Sequence, residues 1–182
     1  MPTAWNPSSL PHALIFAASR VVSMARHLSL ALADERATLA LGEALAPGAA
    51  NGLVLHLSGD LGTGKTTLAR GLLRALGYPG RVKSPSYTLL EPYDLSRLNL
   101  YHFDFYRFKD RTEWLSTGFR EHFTPDSLCI VEWPERAGGL IAPPDLEIRL
   151  EISGVGRSAA LNARSAAGEA WLESASQRWR SR

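Results

Sequence analysis

The chain has 182 residues, 45% apolar and 21% charged, which is the composition of an ordinary globular protein of one domain. A formal net charge of +2 is too small to argue for a polyanionic partner, and the single cysteine, Cys129, excludes an intrachain disulfide or a thiolate metal cluster. Every basic residue except Lys65, Lys83 and Lys109 is an arginine; arginine suits bidentate phosphate contacts, but GC-rich codon usage yields the same bias.

In chain order, residues 1–27 carry Pro2, Pro7 and Pro11 and read as an N-terminal extension, either disordered or the product of a misplaced start codon, with Met24 as the alternative start. Residues 28–182 then form the single domain. The apolar stretch Leu14 to Val22 contains Ser19 and Arg20, falls short of the roughly 18 residues a membrane span needs, and lacks a preceding basic region. The chain is therefore expected in the cytoplasm, away from membranes. From Leu30 the pattern becomes regular. Asp34 to Thr38 opens a helix with Leu39, Gly42 and Leu45 at helical spacing, stopped by Pro47-Gly48. Leu53 to Leu57 reads as a buried strand, and Thr66 to Leu76 as a helix closed by Gly77.

Tyr87 to Tyr93 and Leu98 to Asp104 are strand-like, with Asp94 to Arg97 as the turn. A connection that short cannot hold a crossover helix, so the pair is an antiparallel hairpin. Thr112 to Phe123 is helical with a break at Gly118, and Leu128 to Glu132 is an apolar strand. Leu146 to Ile152 alternates apolar with charged residues, the mark of a half-solvated strand, with Ser158 to Ala163 as its candidate partner. Gly168 to Trp179 closes the chain as a helix.

Between the strand ending at Leu57 and the helix starting at Thr66 stands Gly59-Asp60-Leu61-Gly62-Thr63-Gly64-Lys65-Thr66, followed by Thr67. This is the P-loop spacing in its required strand-to-helix context. The glycines let the backbone wrap closely, so that successive N–H groups point at phosphate oxygens, and the helix adds the positive end of its dipole. Lys65 reaches the β- and γ-phosphates and the Thr66 hydroxyl ligates magnesium. The loop implies a nucleoside triphosphate and Mg2+ as ligands, with residues 59–67 as the cradle.

A P-loop also needs a carboxylate at the end of a neighbouring strand to hold magnesium directly or through water. Two qualify, Asp104 and Glu132. Glu132 follows the cleaner buried strand, the kind that lies beside a P-loop strand in a parallel sheet. Asp104 ends the hairpin, where it can orient a water or respond to the γ-phosphate. GTP-binding relatives of the P-loop class usually carry an Asn-Lys-x-Asp guanine reader, and no lysine here follows an asparagine, which favours ATP. Trp133, next to Glu132, either stacks on the base or caps the core.

Three segments, Val82 to Tyr93, Tyr101 to Arg107 and Val131 to Pro134, together with the loop, resemble the TsaE (YjeE) family over about residues 30–175. These are bacterial ATPases required to make threonylcarbamoyladenosine in tRNAs that read ANN codons. The resemblance implies an α/β fold, a P-loop NTPase-like three-layer domain whose mixed sheet contains an inserted antiparallel hairpin. It implies that Thr66 and Glu132 ligate magnesium, that ATP hydrolysis depends on Asp104, and that Lys83 to Thr88 is a switch sensing the γ-phosphate. Thr38 and Arg157 match positions that contact nucleotide in the family, and Trp133 lies near the base. Glu135 and Arg136 receive no role. The implied partners are TsaD, which transfers the carbamoyl group to tRNA, and TsaB. On this reading ATP hydrolysis resets their complex, and tRNA is met only indirectly.

Two other readings compete. In a small-molecule kinase of the P-loop class the γ-phosphoryl group passes to an acceptor, with Arg107, Arg111, Arg120 or Arg136 over the phosphates, yet the chain has no long arginine-rich lid. In a nucleotide-binding regulator without turnover, Asp104 is dispensable. The terminal Arg178, Arg180 and Arg182 form a basic tail that a solvated helix end explains as well as RNA contact does.

Overall fold

The computed structural model describes residues 26–110 and 112–182. The expected N-terminal extension falls outside the described residues apart from its last two positions, and so does Arg111. Seven strands form one mixed sheet: β1 (His27–Leu32), β2 (Val54–Ser58), β3 (Leu90–Leu95), β4 (Leu98–Asp104), β5 (Ser127–Glu132), β6 (Leu146–Ser153) and β7 (Gly156–Ala163). Their spatial order is β1-β7-β6-β2-β5-β4-β3. The four central strands β6, β2, β5 and β4 run parallel, while β3, β7 and β1 are antiparallel to their neighbours. The expected mixed sheet with an antiparallel hairpin is thus present, and a second hairpin, β6–β7, extends it on the other side. Among the described residues no helix is long and apolar enough to cross a membrane.

Alternation along β5 explains how one sheet serves two cores. Leu128 and Ile130 join the cluster that contains Leu41, Leu45, Leu68, Leu72, Trp171 and Leu172. Cys129 and Val131 point the other way, into a cluster with Phe103, Phe105, Phe108, Trp114 and Ile141. A strand that feeds a different core at successive positions has no solvent face, so Leu128 to Val131 are all apolar and all six residues of β5 are buried, Ser127 and Glu132 at its ends included. The first face is covered by α1 (Glu35–Leu45), α2 (Lys65–Ala75) and α4 (Ala166–Arg180). The second is covered more thinly, by the single-turn helix α3 (Glu113–Ser116), 3-10 turns and interlocked aromatics; Phe105 stacks on Phe108 with ring centroids 4.7 Å apart.

The helices form where caps and packing permit. Asp34 caps α1 by accepting from the Ala37 N–H at 2.8 Å, and Ser165 caps α4 by accepting from the Gly168 N–H at 3.0 Å. Helices α1 and α2 meet through a reciprocal pair of glycines. A Cβ on Gly42 would lie 2.1 Å from the Leu68 carbonyl oxygen, and one on Gly71 would lie 2.2 Å from that of Leu39. Only two bare backbones fit at this crossing, so both residues are set by contact rather than by helix propensity. The Trp171 indole N–H then donates to the Leu45 carbonyl at 2.8 Å, tying α4 to the end of α1.

Three elements depart from expectation. In place of the helix expected over Thr112 to Phe123, one α-turn, Glu113–Ser116, and one 3-10 turn, Phe119–His122, flank the break at Gly118. Strand β1 was not anticipated, although His27 to Leu32 alternates polar or small residues with three leucines; six residues against an irregular leader give little periodic signal. Strand β3 begins at Leu90 rather than Tyr87. Residues 85–89 form a turn closed by the Leu89 N–H on the Pro85 carbonyl at 2.6 Å, with Leu89 itself left-handed at φ 65°. The hairpin turn is correspondingly tighter than anticipated, with only Ser96 and Arg97 between paired strands.

In β2 His56 is 8% exposed. Burial pulls its pKa down to about 4, against a smaller opposing pull from Glu147 and a hydrogen bond to the Ala142 backbone. The folded chain therefore keeps the ring neutral down to about pH 4, whereas the unfolded chain takes up a proton near 6.5. Between those values the unfolded state binds more protons, so stability falls as pH falls, by roughly 3 kcal/mol across the window. Denaturant titrations from pH 7 to pH 4 should show this slope in the native chain and a flatter one in His56→Gln. At the helix crossing, Gly42→Ala and Gly71→Ala should each cost about 1–3 kcal/mol of unfolding free energy, measured by the same titrations at pH 7.

Candidate functional site

The site lies at the carboxyl ends of the parallel strands, where the chain passes from β2 into α2. Gly59, Gly62 and Gly64 adopt φ of 127°, 81° and 104°, a conformation that side-chain-bearing residues rarely hold. At Gly64 space is also closed, since a Cβ would approach both the Arg157 Nε and the Thr38 methyl to 3.2 Å. Helix α2 has no side-chain cap at Gly64, so its first N–H groups are left for an anion.

Lys65 is 4% exposed and folds back on the loop, its ammonium donating to the Gly59 carbonyl at 2.6 Å and the Asp60 carbonyl at 2.9 Å. The Trp133 ring centroid lies 4.0 Å from the same nitrogen. Burial pushes the Lys65 pKa below the usual lysine range, and the carboxylates of Glu132 and Asp104 pull against that shift. The ammonium is desolvated and flanked by opposite charge that offsets part of that cost.

Strands β4 and β5 deliver those carboxylates side by side, with Asp104 and Glu132 as register partners. Both are almost fully buried, at 3% and 2% exposure. The Thr66 hydroxyl donates to Glu132 at 2.9 Å to Oε1 and 3.1 Å to Oε2. The His102 ring Nε2 lies 2.9 Å from the same Oε1. Asp104 accepts the Tyr106 N–H at 2.9 Å on Oδ1 and the Ser84 hydroxyl on Oδ2.

These groups open onto a cleft of about 460 Å³ lined by Leu61, Gly62, Gly64, Lys65, Thr66, Thr67, Asp104, Glu132, Trp133 and Arg157, among others. Most of the residues singled out from sequence therefore converge. Arg157, at the start of β7, has a buried Nε with no hydrogen-bond partner, a donor left over beside the loop. Thr38 stands apart. It is fully buried, its hydroxyl donates to the Asp34 carbonyl at 3.2 Å, and it touches the loop through its methyl group. Trp133 stands at the phosphate end, in contact with Lys65 and with the Tyr106 ring 5.1 Å away. A larger depression of about 950 Å³ opens on the other side of the loop along β6, past His56, Glu147 and Arg149. The backbone donors, lysine and paired carboxylates converge on the smaller cleft, so the chemistry is assigned there.

The donor set fits magnesium. Among the described residues no group of three or more His, Cys, Asp or Glu side chains could cage a metal alone. A hydroxyl and a carboxylate in contact, with acidic Asp104 adjacent, are what Mg2+ takes from a protein when phosphates and waters complete its shell. Because the Thr66 proton already goes to Glu132, the hydroxyl lone pairs remain free for a cation.

Sequence reasoning passed over His102 and named Ser84 only as part of the 83–88 segment, without its tie to Asp104. His102 carried a signal, since it precedes Asp104 by two positions and so shares its face of a strand. Ser84 lies 20 residues from Asp104 in a segment without regular structure, and only the fold brings them together.

Comparison with known proteins points to one family. The family model described as "Threonylcarbamoyl adenosine biosynthesis protein TsaE" matches residues 32–159. The chain is 43% identical over 99 residues to the tRNA threonylcarbamoyladenosine biosynthesis protein TsaE of Haemophilus influenzae, covering 54% of this chain and 63% of that relative. It is 38% identical over 117 residues to the protein of the same name from Bacillus subtilis, covering 64% and 73%. The match thus spans less than two thirds of the Haemophilus relative. Among solved structures, the crystal structure of Bacillus subtilis YdiB superposes with a TM-score of 0.72 at 29% identity, covering 83% of this chain and 95% of that one. With a family model matched over more than half its length, and the P-loop cleft inside the matched region, this chain belongs to the TsaE family.

Proposed function

We propose that the chain is a Mg2+-dependent ATPase of threonylcarbamoyladenosine biosynthesis, acting in the cytoplasm as an ATP-driven switch on a TsaB–TsaD complex and meeting tRNA only through it. The observation that carries this reading is the contact of Thr66 with Glu132, with Asp104 in register beside it: a phosphate cradle joined to two carboxylates by the fold itself. The names of the relatives supply the pathway.

The chain's own groups divide the work. The loop N–H groups and the α2 terminus bind the phosphates, and Lys65 swings from its backbone carbonyls to the β- and γ-oxygens. Arg157 Nε supplies a further donor at the cleft. Thr66 and Glu132 hold the metal, which when bound neutralises charge on the phosphates. Asp104 orients the attacking water. The oxygen of that water bonds to the γ-phosphorus as the bond from that phosphorus to the bridging oxygen breaks; one water proton stays on the new P–OH, the other passes to a phosphate oxygen, and ADP and inorganic phosphate leave. Asp104 accepts one donor on each oxygen, Ser84 on Oδ2 and Tyr106 on Oδ1, so withdrawal of Ser84 would free a position on Oδ2 for the water. Ser84 belongs to the 83–88 segment, and this tie between segment and carboxylate supports the switch reading.

Lys65→Ala should weaken ATP binding about 10–100-fold by loss of a charge-assisted phosphate contact worth about 1.5–3 kcal/mol, read by calorimetric titration. Asp104→Asn should keep ATP affinity within about threefold while slowing hydrolysis about 100-fold, read by phosphate release. The wild-type chain alone should hydrolyse ATP weakly and be strongly stimulated by the cognate TsaB–TsaD pair. No stimulation, with ATP binding intact, would rule out the switch role and leave a nucleotide-binding protein of another use.

A further inference from the structure

His102 lies on β4 and is fully buried, yet it belongs to neither hydrophobic cluster. In the paired strands it stands opposite Ile130, so its ring reaches forward to Glu132 two residues on. Its Nε2 is 2.9 Å from Glu132 Oε1, and its Nδ1 is buried without a partner. An ionised carboxylate only accepts, so Nε2 carries the proton. The unpartnered Nδ1 is then a bare acceptor in the neutral ring, less costly to bury than an unpaired N–H. One tautomer therefore accounts for the contact with Glu132 and leaves Nδ1 as the single unpaired atom of the ring.

Glu132 is 2% exposed, and its carboxylate is held by two side-chain donors from different elements: the Thr66 hydroxyl from α2 and the His102 ring from β4. With Thr66 alone, the carboxylate plane could turn about a single contact. The ring fixes Oε1 from the side away from α2 and leaves Oε2, bonded only to Thr66 at 3.1 Å, as the less occupied oxygen. The arrangement matches the way outer residues orient the ligands of a metal.

We propose that His102 is a positioning residue for metal binding: it acts through Glu132, holding that carboxylate in the orientation from which it and Thr66 take Mg2+. This rests on the nucleotide and metal site proposed above. Loss of the ring donor should weaken the metal while leaving the phosphate cradle intact, because the loop N–H groups and Lys65 do not touch His102. Oriented ligands of this kind typically lose about 10–100-fold in metal affinity when the outer partner is removed.

The test uses Mn2+ as probe, with free Mn2+ counted by electron paramagnetic resonance in the presence of ADP, and ADP binding measured separately in EDTA. His102→Phe should bind Mn2+ about 10–100-fold more weakly with metal-free ADP affinity within about twofold of wild type. His102→Gln, whose amide nitrogen can replace Nε2, should recover Mn2+ affinity to within about threefold. A second measurement needs no variant. In the 15N-labelled wild-type chain, the ring should show the Nε2–H tautomer, and its resonance should move when Mg2+ is added to the ADP complex. The proposal is overturned if His102→Phe binds Mn2+ as wild type does, if metal-free ADP affinity falls by the same factor as metal affinity, or if the ring resonance ignores Mg2+. If wild type itself fails to bind Mn2+ with ADP, the metal site of the proposed function fails first, which is a distinct outcome.

Discussion

The site depends on one hydrogen bond between elements that share no local sequence, the Thr66 hydroxyl on the Glu132 carboxylate across 66 residues. It joins the first turn of α2 to the end of β5 and can form only if β2 and β5 lie adjacent and parallel, as they do. The apolar run Leu128 to Val131 of β5 follows from that requirement, because a strand between two cores has no solvent face. The glycine crossing of α1 and α2 serves the same end: it brings α1 close enough for the Thr38 methyl to wall the loop at Gly64.

Electrostatically the cleft is a compromise between burial and charge. Lys65, Asp104 and Glu132 are each nearly sealed from water, and none could stay ionised alone at modest cost. Lys65 is stabilised by two backbone carbonyls and the Trp133 face, Glu132 by a hydroxyl and a ring N–H, and Asp104 by a hydroxyl and a backbone N–H. The charged lining is mixed in sign, Glu35, Asp104 and Glu132 against Lys65, Arg107 and Arg157, which suits a divalent cation and an anionic ligand together. The unpartnered Arg157 Nε stands at the rim, where an anion would sit.

Much of this was readable before any fold was known, and the reasons differ by residue. Gly59 to Thr66 is contiguous, so spacing alone carried it. Glu132 was legible because an apolar run ending in a single acid has few explanations. Asp104 read as the end of a hairpin, which it is, but β4 also runs parallel to β5, and that second pairing puts it beside Glu132. The bond between Ser84 and Asp104 was not legible, since it joins residues 20 apart; nor was the late start of β3, since a left-handed Leu89 contradicts the residue's own preference and is imposed by the surrounding contacts. The position of Trp133 over Lys65 depends on a left-handed backbone at that tryptophan, φ 58°, which no propensity would suggest.

Cys129, in the middle of β5, has a practical consequence. The thiol is 1% exposed, and burial pushes its pKa up to about 12, so almost none of it is thiolate near neutral pH. Since it is the chain's only cysteine, the native protein is silent toward thiol reagents while folded. A cysteine introduced at an exposed position such as Tyr87, 83% exposed and within the 83–88 segment, would be the sole reactive thiol in the folded molecule. A single fluorophore could then be placed there without first rebuilding the core, and unmasking of Cys129 itself would serve as a label-free clock for unfolding of the central sheet.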